Sequence, residues 1–532
     1  MLQRRNLFVS LGLLLLIAAC SPEQSIPDAK NSIVYGLTLS PSGFDPHIHQ
    51  AAEIGIVLRQ VYDTLVYRDP ETGEIVPGLA TEWSVSDDSL TYTFKLRQDV
   101  KFHDGTPFDA QAVAANLDRI QGLGAESQKA IYLLGPYSGY EIVDNYTIRI
   151  KLREPFSPLL DSFAQIYLAM ASPTAFKQYS NNRYQYHQVG TGPFTFVEYL
   201  PQDRIVLRRN DDYQWGPRFY EPLNEQSVDE IVFRFFTDPP TRSVALENGN
   251  AQVMGELLPT DAQAMRANSR ILLEPVTVPG QPLQFLMNTA RFPTDNLTVR
   301  QSILLGTNRS AIVDSVFQGF SPVAWGPLSA ATLFYNPDLK GAYAYDSGQA
   351  RTLLTAIGYT DNDNNGFLEL NGVELEITVI TPSWGLIPEV AQLLQDQWRT
   401  VGIRANLVPV ALFSALREEV LKGEYNLVAF NTFGLDPGPL LNQYYASDGV
   451  TNWTGFRSSE LDNMLREAMR QNDGAVRANL YHQAQRIIME NALVLPIRDY
   501  VNLNAHSSSV RGLTFDSYGW FPLLHNVTLS PS

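Results

Sequence analysis

Between residues 91 and 97 the chain alternates strictly. Tyr92, Phe94 and Leu96 fall on one side and polar residues on the other. That period of two predicts a half-buried strand. Asp109 then precedes Val113, Leu117 and Ile120, the spacing of one helix face, with Asp109 placed to cap it. The second half repeats these signals. Asp346 precedes Ala350, Leu353, Leu354 and Ile357, and Gly358 stops the run. Residues 374–380 alternate as a strand. Val390, Leu393, Leu394, Trp398 and Val401 form a further helix face, ended by Gly402, and Ile403, Ala405 and Leu407 alternate again. Residues 426–433 read as another strand, running into a Pro/Gly-rich break at 436–439. Strands alternating with helices predict α/β layers, with helices covering a sheet.

The first twenty residues follow a different pattern. Arg4 and Arg5 precede an apolar run from Leu7 to Ala19. The run is shorter than the roughly twenty residues that span a bilayer as a helix. A basic start, a short apolar core and small residues before a break read as an export signal. Ile17-Ala18-Ala19-Cys20 resembles the bacterial lipobox, which implies cleavage before Cys20 and a lipid on its thiol. An ordinary cleaved signal and an uncleaved anchor are the alternatives. Arg4-Arg5-Asn6-Leu7-Phe8 also resembles a twin-arginine signal, so the export route stays open. Residues 20–32 read as a flexible tether, polar and carrying Pro22 and Pro27.

Composition narrows the function. Hydrophobic residues make up 44% of the chain and charged ones 18%, the composition of a globular protein. The net charge of −17 argues against a nucleic-acid partner, which needs a basic footprint. Cys20 is the single cysteine, so there is no internal disulfide and no cysteine zinc site. No P-loop, nucleophile elbow or His-Glu-x-x-His motif is present. His47 and His49 are spaced as a loop pair rather than as a metal grip. Asp361, Asp363 and Asn365, followed by Gly366, resemble the start of a calcium loop, but Gly372 stands where a bidentate acid is wanted. A polar Asx-type turn is the alternative.

Several ordered stretches are similar to the family-5 extracellular solute-binding proteins, the peptide/nickel-type receptors of bacterial ABC importers. They are Phe44-Asp45-Pro46-His47, Gly78-Leu79-Ala80-Thr81-Glu82-Trp83, and residues 100–108 around His103-Asp104-Gly105-Thr106-Pro107. Gly190-Thr191-Gly192-Pro193-Phe194, Asn288 with Val299-Arg300-Gln301, and residues 345–359 complete the set.

The resemblance implies a large two-lobed α/β binding-protein fold, of the peptide-binding-protein kind, with an extra inserted subdomain. Lobe I would comprise residues 33–68, 188–275 and 500–532, with the subdomain at 69–187. Lobe II would be 276–499, with crossings near 275 and 499. It implies a receptor rather than an enzyme, a monomer without a cofactor. That receptor would be held on the periplasmic or cell-surface side through Cys20 and partnered by permease subunits. A receptor that senses or chaperones a solute without transport, and a secreted hydrolase, are the competing readings.

The implied ligand contacts are Ser40 and Ser42 after the first strand, Trp325, Trp384, Asn431, Phe433 and Asp436. Peptide receptors of the family carry an aspartate for the peptide amine four residues before the proline of an Asp-Pro or Glu-Pro step. Here that position is Phe433, which speaks against peptides with free N-termini. It leaves blocked or cyclic peptides, sugars and other amphipathic solutes.

Overall fold

The computed structural model of the protein describes residues 31–530. The expected export signal, Cys20 and most of the expected tether lie outside the described residues. Among the described residues no helix is long and apolar enough to cross a membrane.

The described chain opens with β1 (Ser32–Leu37), whose Ile33, Tyr35 and Leu37 are buried. Helix α1 (Ala52–Val61) follows and is buried along almost its whole length. Strands β2 (Ala80–Val85), β3 (Thr91–Leu96), β4 (Tyr137–Asp144) and β5 (Thr147–Leu152) then build an antiparallel sheet, ordered β2-β3-β5-β4. Tyr92, Phe94 and Leu96 are buried, as the alternation predicts. Helix α2 (Ala110–Leu123) starts where Asp109 accepts the Ala112 N–H at 2.9 Å, and it buries Val113, Leu117 and Ile120.

Two of the motifs singled out in the sequence turn out to be one joint. The His103 N–H donates to Gly190 O at 2.9 Å, and His103 Nε2 lies 2.9 Å from Gly192 O. Burial pushes this imidazole down to about 4. Gly192 N–H donates to Val61 O at 2.9 Å. A Cβ on Gly192 would sit 2.6 Å from the Val61 carbonyl carbon, so the end of α1 approaches too closely for any side chain there.

Strands β6 (Phe194–Leu200), β7 (Arg204–Arg209), β8 (Glu230–Phe235), β9 (Val253–Met254) and β10 (Ile271–Thr277) gather around β1. The chain then leaves to form a second sheet from β11 (Leu283–Met287), β12 (Glu376–Pro382), β13 (Arg404–Val410), β14 (Leu427–Ala429) and β15 (Val494–Arg498), ordered β13-β12-β14-β11-β15. It returns as β16 (Val501–Ser507). That completes a seven-stranded first sheet ordered β10-β16-β9-β1-β8-β7-β6.

Both faces of the five-stranded sheet are covered. Phe285, Met287, Ile377 and Val379 enter one buried cluster, and Leu286, Ile380 and Val428 enter another. The first cluster packs under α3 (Ser347–Ala356), capped by Asp346, and under α4 (Ile387–Val401), which ends at Gly402 with φ +97°. Helix α5 (Phe413–Lys422) packs against β12 and β13. Helices α6 (Pro437–Tyr445), α7 (Ser459–Arg470) and α8 (Gly474–Glu490) supply the second cluster. Strands buried on both faces explain their nearly continuous apolar runs.

Two expectations change. The strand predicted over 426–433 stops at Ala429, because the chain beyond it bonds to another segment. Gln281 N–H donates to Thr432 O at 2.9 Å and Gly434 N–H to Pro279 O at 3.1 Å. The break at 436–439 is the first turn of α6. Pro437 occupies a position where a missing N–H costs nothing, and Asp436 caps the turn.

The two sheets are joined by two crossings, 277–283 and 498–501, that run side by side because β10 pairs β16 and β11 pairs β15. A third segment, 322–332, laces them together. Ala324 N–H donates to Ile497 O at 3.2 Å and Asp499 N–H to Pro322 O at 2.9 Å. Ser329 N–H donates to Gly280 O at 2.8 Å, Gly280 N–H to Thr332 Oγ1 at 2.8 Å, and Ala330 N–H to Asp499 Oδ2 at 3.0 Å.

Candidate functional site

Strands β12, β13 and β14 are parallel and end on the same edge. The carboxyl edge of a parallel sheet is where α/β proteins meet their ligands, because the loops there are free of the ladder. Ser383 and Trp384 follow β12, Leu412 and Phe413 follow β13, and residues 430–433 follow β14. Ser383 N–H donates to Val410 O at 2.9 Å, which holds the first two loops side by side. Leu412 is 66% exposed, Phe413 46% and Trp384 37%, an unusual density of open apolar surface for one sheet edge. Phe413 stacks on Phe430 at 5.3 Å, and Phe430 lies 5.1 Å from Trp453.

Phe433 sits where this edge meets the crossings. Its ring lies 4.8 Å from Tyr500 and 5.5 Å from Trp520, and those two rings are 5.6 Å apart. The three rings come from the five-stranded unit, a crossing and the C-terminal tail. The Arg498 guanidinium lies over the Tyr500 ring at 4.4 Å and over Phe317 at 4.1 Å. Burial, then the nearby Glu256 carboxylate, pushes the Tyr500 phenol up to about 12, so it remains a neutral donor. Leu435, two residues beyond Phe433, enters the core cluster of the first sheet.

Each residue expected at the site has a definite place. Asn431 is half-buried, and its amide has no internal hydrogen-bond partner among the described residues, so both its donors and its acceptor are available. Trp384 is at the sheet edge. Ser40 and Ser42 are exposed just beyond β1, and Ser42 Oγ lies 3.4 Å from His49 Nδ1. No contact links either serine to the aromatic trio.

Trp325 is half-buried under the guanidinium of Arg309, at 4.4 Å, within the lacing segment. Arg309 is held in turn by the carbonyls of Ala324 and Ala342. Asp436 is buried and committed to the protein. It accepts the Gly438 N–H at 2.8 Å and two contacts, 2.8 and 3.0 Å, from one guanidinium nitrogen of Arg477.

The residues considered for a metal make these protein contacts, while Asp361 Oδ1 is buried with no hydrogen-bond partner among the described residues. His47 is buried, with Nε2 2.9 Å from Ala169 O and Nδ1 2.8 Å from Arg119. Burial and that guanidinium push the ring down to about 4. In the 361–366 loop, Asp361 accepts from Gly366 N–H at 3.2 Å, Asp363 from Asn365 N–H at 3.1 Å, and Asn365 from Phe367 N–H at 2.8 Å. The last two are Asx turns. Among the described residues no group of three or more His, Cys, Asp or Glu is placed to hold a metal ion.

Sequence reading missed Tyr500, Trp520, Phe413 and Phe430. The first two carry no local motif, and proximity comes from pairing over long sequence distances. Phe413 and Phe430 were legible only as strand-end aromatics, which are ordinarily core.

Known proteins match this architecture along nearly the whole chain. The family model described as bacterial extracellular solute-binding proteins, family 5 Middle, matches residues 74–452. Heme-binding protein A of Haemophilus influenzae is 28% identical over 95% of this chain and 96% of its own. The glutathione-binding protein GsiB of Shigella flexneri is 30% identical over 94% and 95%. The crystal structure of NikA from Brucella suis in complex with Fe(III)-EDTA shares the fold, with a TM-score of 0.84 and 24% identity over 94% of this chain and all of that one. With its ordered motifs, its two joined sheets and these matches, the chain belongs to the bacterial extracellular solute-binding proteins of family 5.

Proposed function

We propose that this chain is the substrate-binding lipoprotein of an ABC importer. It is exported and anchored through Cys20, and it captures a peptide-like or other small amphipathic solute between two lobes and hands it to the permease. Lobe I is residues 33–68, 188–275 and 500–532 with the inserted 69–187, and lobe II is 276–499. The observation that carries the reading is the aromatic trio Phe433, Tyr500 and Trp520, gathered where the sheet edge meets the two crossings. Hinge-closing receptors bind their solute at such a junction.

Phe433 offers no charge to a peptide amine, and a buried ammonium without a partner is costly. The solute is therefore one that does not place a free peptide N-terminus there. Apolar parts of the solute rest on Trp384, Leu412 and Phe413, and Asn431 supplies hydrogen bonds. The names of the relatives, which include a di/tripeptide-binding protein, support a compact polar-apolar cargo. The chain carries out no catalysis in this reading.

Native mass spectrometry of the purified protein identifies the co-purified solute, and uptake of that solute is then measured with the gene deleted. Lost uptake supports the importer role. Unchanged uptake with intact binding refutes it in favour of a sensing receptor. In a Cys20→Ser variant, release of the protein from the membrane fraction tests the anchor. Retention there refutes it.

A further inference from the structure

Thr38 and Glu256 stand just past the ends of β1 and β9, parallel neighbours with Gly36 opposite Met254. The Thr38 hydroxyl contacts Glu256 Oε2 closely, and Glu53 Oε1 lies 3.5 Å away from it. One hydroxyl carries one proton, and the nearer carboxylate takes it. Glu53, 7% exposed, keeps only this long 3.5 Å contact and its own backbone N–H, with no other side-chain donor among the described residues.

Arg242 acts on both carboxylates electrostatically but gives them no hydrogen bond. Arg242 gives its N–H groups to the carbonyls of Phe236, Thr237, Thr38 and Glu256, at 2.8 to 3.4 Å. It forms no ion pair with either glutamate.

A third acceptor points the same way. Asn504 is 1% exposed and its Oδ1 has no donor among the described residues. That oxygen lies 3.0 Å from where a Gly255 Cβ would be. Asn502 Oδ1, beside it, takes the Glu256 N–H at 3.1 Å. Acceptors thus outnumber donors on three elements: α1, the loop after β9, and β16. Glu53 in the first turn of α1 gains from the helix dipole. That gain is outweighed, since burial and the neighbouring Glu256 still push its carboxyl up to about 7. The spot adjoins the candidate site, because Glu256 acts electrostatically on Tyr500, whose ring packs on Phe433.

We propose that Glu53, Glu256, Thr38 and Asn504 form a subsite for a positively charged group of the solute, an ammonium or guanidinium, on the seven-stranded side of the crevice. This rests on the reading of the chain as a solute receptor. It assigns the cationic group to the lobe opposite the one that carries Phe433. A bound cation supplies donors to the orphaned acceptors and relieves the repulsion between the two carboxylates.

Phenethylamine and 2-phenylethanol differ in ammonium against hydroxyl and serve as paired probes for calorimetry and thermal unfolding of the full chain near neutral pH. The subsite predicts that phenethylamine binds at least tenfold more tightly than 2-phenylethanol. It also predicts that E53Q and E256Q each remove most of that preference. In the absence of probe, E53Q raises the melting temperature, because it removes a buried charge and its repulsion by Glu256. A purely structural role for the pair predicts a fall instead.

Equal binding of the two probes, absence of binding by either, or an unchanged preference in both variants overturns the subsite. Those outcomes leave the receptor reading standing, since it is tested separately by uptake of the co-purified solute. A poorly folded E53Q is recognised by circular dichroism, and E256Q, at a half-buried position, then decides the matter.

Discussion

On the five-stranded side of the crevice, Asp436 lies within 3.0 Å of the Arg477 guanidinium and caps α6. On the seven-stranded side, Glu53 and Glu256 both approach the single hydroxyl of Thr38, and among the described residues neither forms an ion pair with Arg242. Both sites remove carboxylates from water, which is costly unless the charge is matched. One side satisfies its charge internally and gathers aromatic rings at the sheet edge. The other leaves acceptors over. A buried charge that the protein has already balanced is architecture, and one that it has not balanced is available to something else.

The comparison can be broken most directly at Asp436. Asp436→Ala leaves Arg477 buried without its partner and removes a helix cap, so stability falls by about 3–5 kcal/mol in urea denaturation. A loss below about 1 kcal/mol would place Asp436 with the unbalanced acids.

The next largest effect is a pH dependence. The Glu53 carboxyl is raised from 4.5 to about 7 in the folded chain, so folded protein holds this proton more tightly than unfolded protein does. Its contribution is fully favourable below pH 4.5 and is lost as pH rises through about 7. That amounts to about 2–3 kcal/mol. Denaturation at pH 5 and pH 8 of the parent and of Glu53→Gln measures it, as the part of the pH dependence that the variant lacks. Equal pH dependence in the two proteins would show that the acids are not opposed.

A smaller effect is expected at Phe433. Phe433→Ala removes a half-buried ring from a three-ring contact, costs about 1–2 kcal/mol, and weakens binding of the recovered solute about tenfold. Normal binding with lower stability would make the trio packing alone. The smallest effect is at the exposed pair of Glu154 and Arg470, 2.6 Å apart and each about half exposed. Glu154→Gln changes stability by about 0.5 kcal/mol or less. A larger change would show that exposed pairs carry weight comparable to the buried ones.

Much of this was legible along the chain where the signal is local. The alternation around Phe94, the cap at Asp109 and the stop at Gly402 each depend on a few neighbouring residues, and each is realised. The run after Asn426 was misread because its outer half is apolar for another reason. Phe430 and Phe433 pack on partners that belong to other segments. Pro437 and Pro439 suggested a break, yet the first turn of a helix tolerates both, since its N–H groups have no internal partner anyway.

Phe433 was visible through its place in a motif. Tyr500, Trp520, Glu53 and Glu256 were not, because each looks ordinary locally. What distinguishes them is who stands opposite, and in a seven-stranded sheet built from three distant parts of the chain that is decided by pairing.

The lacing of the two crossings by residues 322–332 has a mechanical consequence. A single strand between two bodies twists as easily as it bends. Two strands side by side, stitched through Gly280, Ile497 and Asp499, resist twist and leave one soft direction. In the proposed two-lobed receptor, relative motion of the lobes would then be a swing in one plane, like a door on a long hinge rather than a ball on a string. Each closing stroke of such a receptor would bring the same two walls to the same register, and selectivity would depend on how well a passenger fits one rehearsed gap.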